Sequence, residues 1–546
     1  MSASNKKKLR KEQEAAKLTE KQLAAQKEAK KTNLYTIGFV ILMAVILVAA
    51  IVVGINQTIT SRGVREKNTV ALTVGEHSIS NAELNYFYMD AVNTFSSQYG
   101  SYAALFGLDT TKPLDEQVQD PDSGATWADY FLTSAQQNAR STYAMSDAAK
   151  EAGYTLPEDA QSAIDTAIGN LRAYATLNGF SSDEQYVKAL FGRGSSVDSY
   201  RAYLELTSLA SSYYSQYGQD LSYTDADLRE KEAENPAAYN SYSFNAYYLA
   251  ASRFLTGGTT DADGNTTYSD EEKAASVLAA EVAAKSLTVD VETLEDLDAA
   301  VAALDVNQDT EAASSAYADV LYGNVSSVYS QWVTDASRKA GDMTVIPNTS
   351  TSTAEDGTET TVTNGYYVLF FNGSTDNKFP LVNVRHILVS FQGGTQDPNT
   401  GATNYSDEEK AAAKATAEEL LEKWKAGDKT EDSFAALANE HSSDGDGTTG
   451  GLYENVYPGQ MVESFNDWCF DASRKSGDTG IVESQYGYHV MYFVGNADIT
   501  YRDYQIQEEL RAADLESWYT GLVDAMPLIE GNTGYIRKDL VLNANG

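Results

Sequence analysis

Hydrophobic positions along this 546-residue chain change rhythm from one stretch to the next. Leu34 to Ile55 is an uncharged apolar run of 22 residues. At ~1.5 Å rise per residue, a helix of that length crosses the ~30 Å hydrocarbon core of a membrane. It exceeds the ~7–15-residue apolar region of a cleaved signal peptide. Val70-Ala-Leu-Thr-Val74 then predicts a short strand, Gly75-Glu76 a turn, and Ser80 the cap of a helix beginning at Asn81. From there to about Pro236 apolar residues recur at helical spacing, many of them Ala, Tyr and Phe. Turns are expected at Gly100, Asp109–Pro121, Gly153, Gly179 and Gly192–Ser196.

Beyond Tyr239 the pattern becomes mixed, and it is written twice. Strand candidates Ser243–Leu249 and Val382–Val389 each lead through a Gly/Asp/Asn/Thr loop to a helix starting near Ser269 or Ser406. Both helices open on Ser-x-x-Glu, the pattern of a capping box. Each copy closes on a strand, Tyr366–Phe371 or Tyr488–Phe493. Tyr268-Ser-Asp-Glu-Glu-Lys-Ala-Ala275 recurs as Tyr405-Ser-Asp-Glu-Glu-Lys-Ala-Ala412, and Asp335-Ala-Ser-Arg-Lys339 as Asp471-Ala-Ser-Arg-Lys475. The interval from Tyr to Asp is 67 residues in one copy and 66 in the other. The first copy carries 14 extra residues around Asn348–Thr363, a Ser/Thr-rich stretch that reads as a surface loop. The tail predicts a helix over Tyr504–Leu522 and a short strand near Tyr535-Ile536.

Charge divides the chain at the apolar run. Residues 1–31 hold ten Lys/Arg and four Glu, whereas the rest holds thirty and seventy-four acidic residues. The basic segment stays cytoplasmic by the positive-inside rule, which places the acidic body outside. Such a body repels phosphate backbones, so a nucleic acid partner is not expected. Cys469, the only cysteine, rules out a disulfide within the chain and reads as a packed apolar residue. Asp261-Ala-Asp-Gly-Asn265 lacks the spacing of a calcium loop and reads as a turn.

The second copy contains a series of short motifs. Arg385-His386-Ile-Leu-Val389 is followed by Phe434-Ala-Ala-Leu-Ala-Asn-Glu-His-Ser-Ser-Asp444, Gly450-Gly451, Gly459-Gln-Met461, Phe465 and Tyr486-Gly-Tyr-His489. In this order they resemble the parvulin-type peptidyl-prolyl cis/trans isomerases over about Leu381 to Ala497. The whole layout resembles, more loosely, extracytoplasmic foldases and chaperones with one or two such domains. The resemblance implies that His386 and His489 form a paired-imidazole floor and that Asp444 faces the substrate amide. It also implies that Met461 and Phe465 grip the proline ring, with Tyr453 and Tyr486 on the walls. Gly450-Gly-Leu-Tyr-Glu454 departs from the family's usual Gly-Gly-Asp-Leu-Gly turn. His441 is expected to be structural and His77 to lie on a surface turn. The chemistry makes and cuts no bond, so no nucleophile, metal or cofactor is expected. Phosphate-directed relatives place Lys or Arg between Phe391 and Glu409; this chain has neither there, which argues against phosphorylated substrates.

Carried to the first copy, His386 becomes Tyr248 or Tyr247, His489 becomes Tyr367, Phe465 becomes Tyr329 and Met461 becomes Val325. That copy is expected to fold similarly and to isomerise nothing. The expected fold class is α+β, with a transmembrane helix, a mainly helical chaperone-like domain, two parvulin-like domains and a C-terminal helical segment. The corresponding ranges are a basic cytoplasmic tail at 1–33, a membrane span at 34–55, a helical domain at 68–236 and a degenerate parvulin-like domain at 240–375. The isomerase domain follows at 380–498, then a segment at 499–546 packing on the N-terminal domain. The function this implies is a single-pass, membrane-anchored foldase acting on X–Pro bonds of exported polypeptides. A catalytically silent holdase or peptide-binding module is the alternative, and a cell-surface scaffold a further one.

Overall fold

The computed structural model describes residues 62–542 except 308–312, 354–356, 399 and 446, together with residues 4–8, 10, 11, 43, 47 and 60. The predicted span at 34–55 and most of the basic tail therefore lie outside the described residues. Among the described residues, no helix is long and apolar enough to cross a membrane. The fold is mixed α+β, with small antiparallel sheets and many helices. It divides into two units, residues 1–221 with 513–546, and residues 222–512.

The first unit begins with β1 (Val70–Val74) and β2 (His77–Ser80), then α1 (Asn81–Tyr99). Ser80 and Glu83 form a reciprocal capping box that fixes where α1 starts. Helices α2 (Trp127–Glu151), α3 (Glu158–Leu177), α4 (Asp183–Phe191) and α5 (Val197–Asp220) follow. Leu72, Ile79, Leu84, Tyr88 and Phe131 are fully buried in the core between sheet and helices. His77 is on β2 rather than in a turn. Its Nε2 lies 2.8 Å from Asp147 and its ring 4.6 Å from that of Tyr143, so it belongs to the sheet–helix seam.

The second unit holds α6 (Asp225–Glu234) and the two repeats, which share one topology. The first repeat contains β3 (Ser241–Ala250), α7 (Asp270–Ser286), α8 (Leu294–Ala302), β4 (Ser315–Leu321), α9 (Ser330–Val333), β5 (Met343–Thr353) and β6 (Glu359–Thr375). The second contains β7 (Pro380–Ser390), α10 (Asp407–Ala426), α11 (Glu431–His441), β8 (Leu452–Val456), α12 (Glu463–Cys469), β9 (Thr479–Ser484) and β10 (Gly487–Thr500). The strand orders are β4-β3-β6-β5 and β8-β7-β10-β9, antiparallel throughout. The repetition extends to single atoms. Ser269/Glu272 and Ser406/Glu409 both form capping boxes, and each glutamate also accepts the amide of Gly258 or Gly394. Arg338 stacks on Trp332 as Arg474 does on Trp468.

In the Ser/Thr stretch at Asn348–Thr363, the residues up to Thr353 and from Glu359 onward are strand rather than surface loop. They prolong β5 and β6 into a hairpin arm, with Glu359 opposite Thr353 and Thr351 Oγ1 3.0 Å from Thr361 Oγ1. β-Branched threonines favour extended backbone, and cross-strand hydroxyl pairs support the ladder without a buried face.

The chain ends with α13 (Tyr501–Ala525) and β11 (Leu528–Glu530). β11 pairs with β1, Leu72 opposite Glu530, completing the sheet β11-β1-β2 of the first unit. The C-terminal strand is thus at 528–530, and Tyr535-Ile536 is a turn. Its backbone is held by two buried asparagines. Asn81 Nδ2 donates to Asn532 O at 2.7 Å, and the Arg537 amide donates to Asn85 Oδ1 at 3.1 Å. These bonds satisfy backbone groups that no strand partner reaches.

Within the second unit, Arg502 is 3 % exposed and joins four segments. It donates to Glu232, Asn240 Oδ1, Asp376 O and Pro236 O. Removing the cation leaves Glu232 with Arg229 as its one remaining cation and strands the buried carbonyls of Pro236 and Asp376. Arg502→Met should therefore cost about 3–5 kcal/mol, and the paired Arg502→Met/Glu232→Leu variant distinctly less. Denaturant unfolding of the two variants checks the order.

Candidate functional site

The site is assembled on the two central strands of the second repeat. In β7 and β10, His386 is opposite Met491 and Leu388 opposite His489, so the two histidines are diagonal neighbours on one face. Their Nδ1 atoms are 3.1 Å apart, and the residues are 3 % and 5 % exposed. Asp444 is brought in by a hook after α11. Ser442 Oγ accepts the amides of Leu388 and Asp444, and the Ser443 amide donates to Leu388 O. Asp444 Oδ2 then lies 2.9 Å from His386 Nε2 and accepts the Tyr453 hydroxyl at 2.8 Å. At the other end Ser484 Oγ is 2.8 Å from His489 Nε2.

These contacts define one direction of donation. A carboxylate only accepts, so His386 Nε2 carries hydrogen, and because burial keeps the ring neutral its Nδ1 accepts. His489 must then donate from Nδ1, leaving Nε2 to accept from the Ser484 hydroxyl. Both rings are neutral in this arrangement. Burial pushes the His386 pKa down against the pull of Asp444, and burial together with His386 lowers His489 to about 4. Burial, reinforced by Asp444, raises the Tyr453 hydroxyl to about 12, which keeps it a donor.

The apolar side is built by α12. The Phe465 ring stands edge-on to both imidazoles, with centroids at 5.3 and 5.4 Å, and is 2 % exposed. Met461 and Tyr453 pack on the same cluster and remain partly exposed, as does Asp444. Phe465 is thus the back wall, and Met461 and Tyr453 the accessible rim. Tyr486 is 56 % exposed on the turn between β9 and β10, apart from the buried cluster. His441 lies at the end of α11, 3.1 Å from Lys423 Nζ. Cys469 is buried in α12, and burial raises its thiol to about 12.

The turn entering β8 is shaped by its two glycines. Gly450 and Gly451 have φ near +63° and +66°. A Cβ on Gly451 would overlap the His386 carbonyl oxygen. Arg385 fastens the turn from behind, donating to Thr449 O, Gly450 O and Glu431. Sequence reasoning missed Ser442 and Ser484. Ser442 lies inside the quoted motif as the C-cap of α11, and Ser484 faces His489 only after the hairpin register is known.

Register also corrects one alignment. Leu369 is opposite Ala246 as Met491 is opposite His386, so the first-copy counterpart of His386 is Ala246, not Tyr248 or Tyr247. Tyr367 occupies the His489 position. Tyr247 points to the helical side and is buried there with Leu287 and Leu297. A two-residue shift preserves the face, which is why the sequence offered Tyr248 so readily.

A buried imidazole pair on a four-stranded antiparallel sheet, capped by a carboxylate and an apolar wall, defines a parvulin-type peptidyl-prolyl isomerase domain. Residues 368–496 match the PPIC-type PPIase domain. The relatives are foldases. Foldase protein PrsA 1 of Listeria innocua is 37 % identical over 116 residues, covering 21 % of this chain and 31 % of that protein. Foldase protein PrsA 1 of Listeria monocytogenes is 32 % identical over 163 residues, covering 30 % and 43 %. The aligned region is thus less than half the length of these curated relatives. Among solved structures, PrsA from Bacillus subtilis aligns at 27 % identity over 26 % of this chain and 47 % of that one, with a TM-score of 0.17.

The neutral pair has a pH signature. An unfolded histidine titrates near 6.5, and His489 in the fold titrates near 4. Between these values the unfolded chain binds more protons, so stability rises with pH. This contribution, on the order of 3 kcal/mol, is fully present above about pH 6.5 and is lost as pH falls toward 4. Imidazole 15N shifts should show His489 neutral at pH 5.5. A charged ring at that pH would contradict the assigned bonding.

Proposed function

We propose that the second repeat accelerates cis/trans isomerisation of X–Pro bonds in polypeptides that fold outside the cytoplasm, with the chain anchored through residues 34–55 and its N-terminus inside. The observation that carries the reading is the neutral relay Ser484–His489–His386–Asp444 beside Met461 and Phe465. Rotation about X–Pro breaks amide resonance against a barrier of ~18–20 kcal/mol. The planar amide carries negative charge on oxygen and positive charge on nitrogen, and the twisted amide carries less of both. An apolar rim that takes the proline ring out of water weakens the polar planar form. A carboxylate held at the carbonyl side penalises the planar form more than the twisted one, so the barrier falls without any proton being transferred. His386 and Tyr453 fix where that negative charge sits. His489 and Ser484 fix the tautomer that makes His386 a donor.

The first repeat has no imidazole pair and is assigned no turnover. Helical residues 68–236 and the segment 499–546 would serve as a chaperone-like body.

Phosphate dependence is not part of the reading. Thr395-Gln396 and Thr403-Asn404 close a small hairpin in the loop after β7, a loop that carries no Lys or Arg. The detergent-solubilised full chain should turn over Ser-Pro tetrapeptides and prefer them to phosphoserine-Pro. His386→Ala should lower kcat/KM about 10²-fold, the size of losing one pre-organised polar group. Intact turnover in that variant would sink the site assignment. No turnover by the unaltered chain, with suppression of client aggregation, would make it a holdase.

A further inference from the structure

The first repeat retains the sheet of the second but replaces its polar centre with rings. Ala246 and Tyr367 stand for the two histidines, and Tyr317, opposite Phe244, stands for Tyr453, opposite Val384. Tyr329, just before α9, takes the place of Phe465, and Tyr248 that of Leu388. The rings form a continuous row. Centroid distances are 4.8 Å for Tyr248–Tyr367, 5.2 Å for Tyr367–Tyr329, 5.6 Å for Tyr329–Phe244 and 4.9 Å for Phe244–Tyr317. Phe244 and Tyr329 are buried, whereas Tyr248 and Tyr317 are 36 % and 39 % exposed. A buried aromatic base thus supports two accessible rings at its ends.

We propose that this row is a non-catalytic docking site for extended, proline-containing polypeptide in the polyproline II conformation. The occupant follows from the internal repeat. The row occupies the same strands and the same face as the X–Pro site of the second copy, so the inference rests on that reading of the second copy. Proline rings pack on tyrosine faces, and a polyproline II chain leaves its carbonyls free to accept tyrosine hydroxyls. With no imidazole–imidazole pair, the site holds such a chain without favouring a twisted amide. The two repeats are joined by only Asp376–Phe379, and that joint is tied down. Asn377 is 1 % exposed, and its Nδ2 donates to Tyr239 O at 2.9 Å and Ser241 Oγ at 3.0 Å. A long client bound at the first repeat therefore meets the second at an effective concentration set by its own length.

The test uses the full chain and two substrates, a proline tetrapeptide and an unfolded, proline-rich protein whose refolding is limited by X–Pro isomerisation. For Tyr248→Ala/Tyr317→Ala, tetrapeptide kcat/KM should stay within about twofold. KM for the protein client should rise about tenfold or more at unchanged kcat, the loss expected when two linked sites become one. Tyr248→Phe/Tyr317→Phe keeps the rings and should retain most of the client affinity. A proline-rich peptide bearing a benzophenone should cross-link within Ser241–Thr375 in the unaltered chain and lose those links in the alanine variant. An unchanged client KM, or cross-links confined to Pro380–Thr500, would overturn the proposal. Absent tetrapeptide turnover by the unaltered chain would instead remove the isomerase reading, and the cross-links would still decide docking.

Discussion

Two imidazoles 3.1 Å apart on a buried sheet face cannot both carry charge, and burial favours the state in which neither does. That constraint organises the second repeat. It requires a hydrogen-bond donor at one end, supplied by Ser484, and an acceptor at the other, supplied by Asp444. It requires a dry wall, supplied by Phe465 from α12. It requires the backbone of β8 to approach β7 closely at His386, and only Gly451 admits that approach. Arg385 does its part at a distance, holding the turn in which that glycine sits. The polar groups form a network in which each member satisfies the next, the condition under which buried polarity is tolerated.

The duplication shows which parts of this arrangement belong to the fold and which to the chemistry. Capping boxes, the Gly–Glu contact ahead of them and the Arg–Trp stack occur in both copies. They set where helices begin and how they lie on the sheet. The histidines, Asp444 and the double glycine belong to the second copy alone among the described residues. Where they are missing, rings fill the space, and Ala246 clears room for them.

Much of this was legible in the residues. Repeated words at matched spacing located both copies, and Ser80, Ser269 and Ser406 marked helix starts that the structure keeps. The positions of His386, Asp444, His489, Met461 and Phe465 followed from motif order, but their distances did not. The misread parts have physical causes. Asn348–Thr363 looked like a loop because it has no apolar alternation, yet an exposed hairpin needs none. Tyr248 looked like the partner of His386 because strand periodicity cannot distinguish shifts of two residues. Ser442 and Ser484 carry no signal of their own, since they acquire a role only through tertiary contact.

The pairing of β11 with β1 has a consequence for synthesis. Leu72 meets Glu530 only after more than four hundred intervening residues have been made, and Asn81 and Asn85 wait for the same arrival. Each repeat, by contrast, draws its sheet from a contiguous stretch. As the polypeptide lengthens from its N-terminus, the two repeats can therefore mature while the earlier unit still exposes an open strand edge. The unit begun earlier is the later one to be finished, and it is closed by Leu528–Glu530, Asn532 and Arg537.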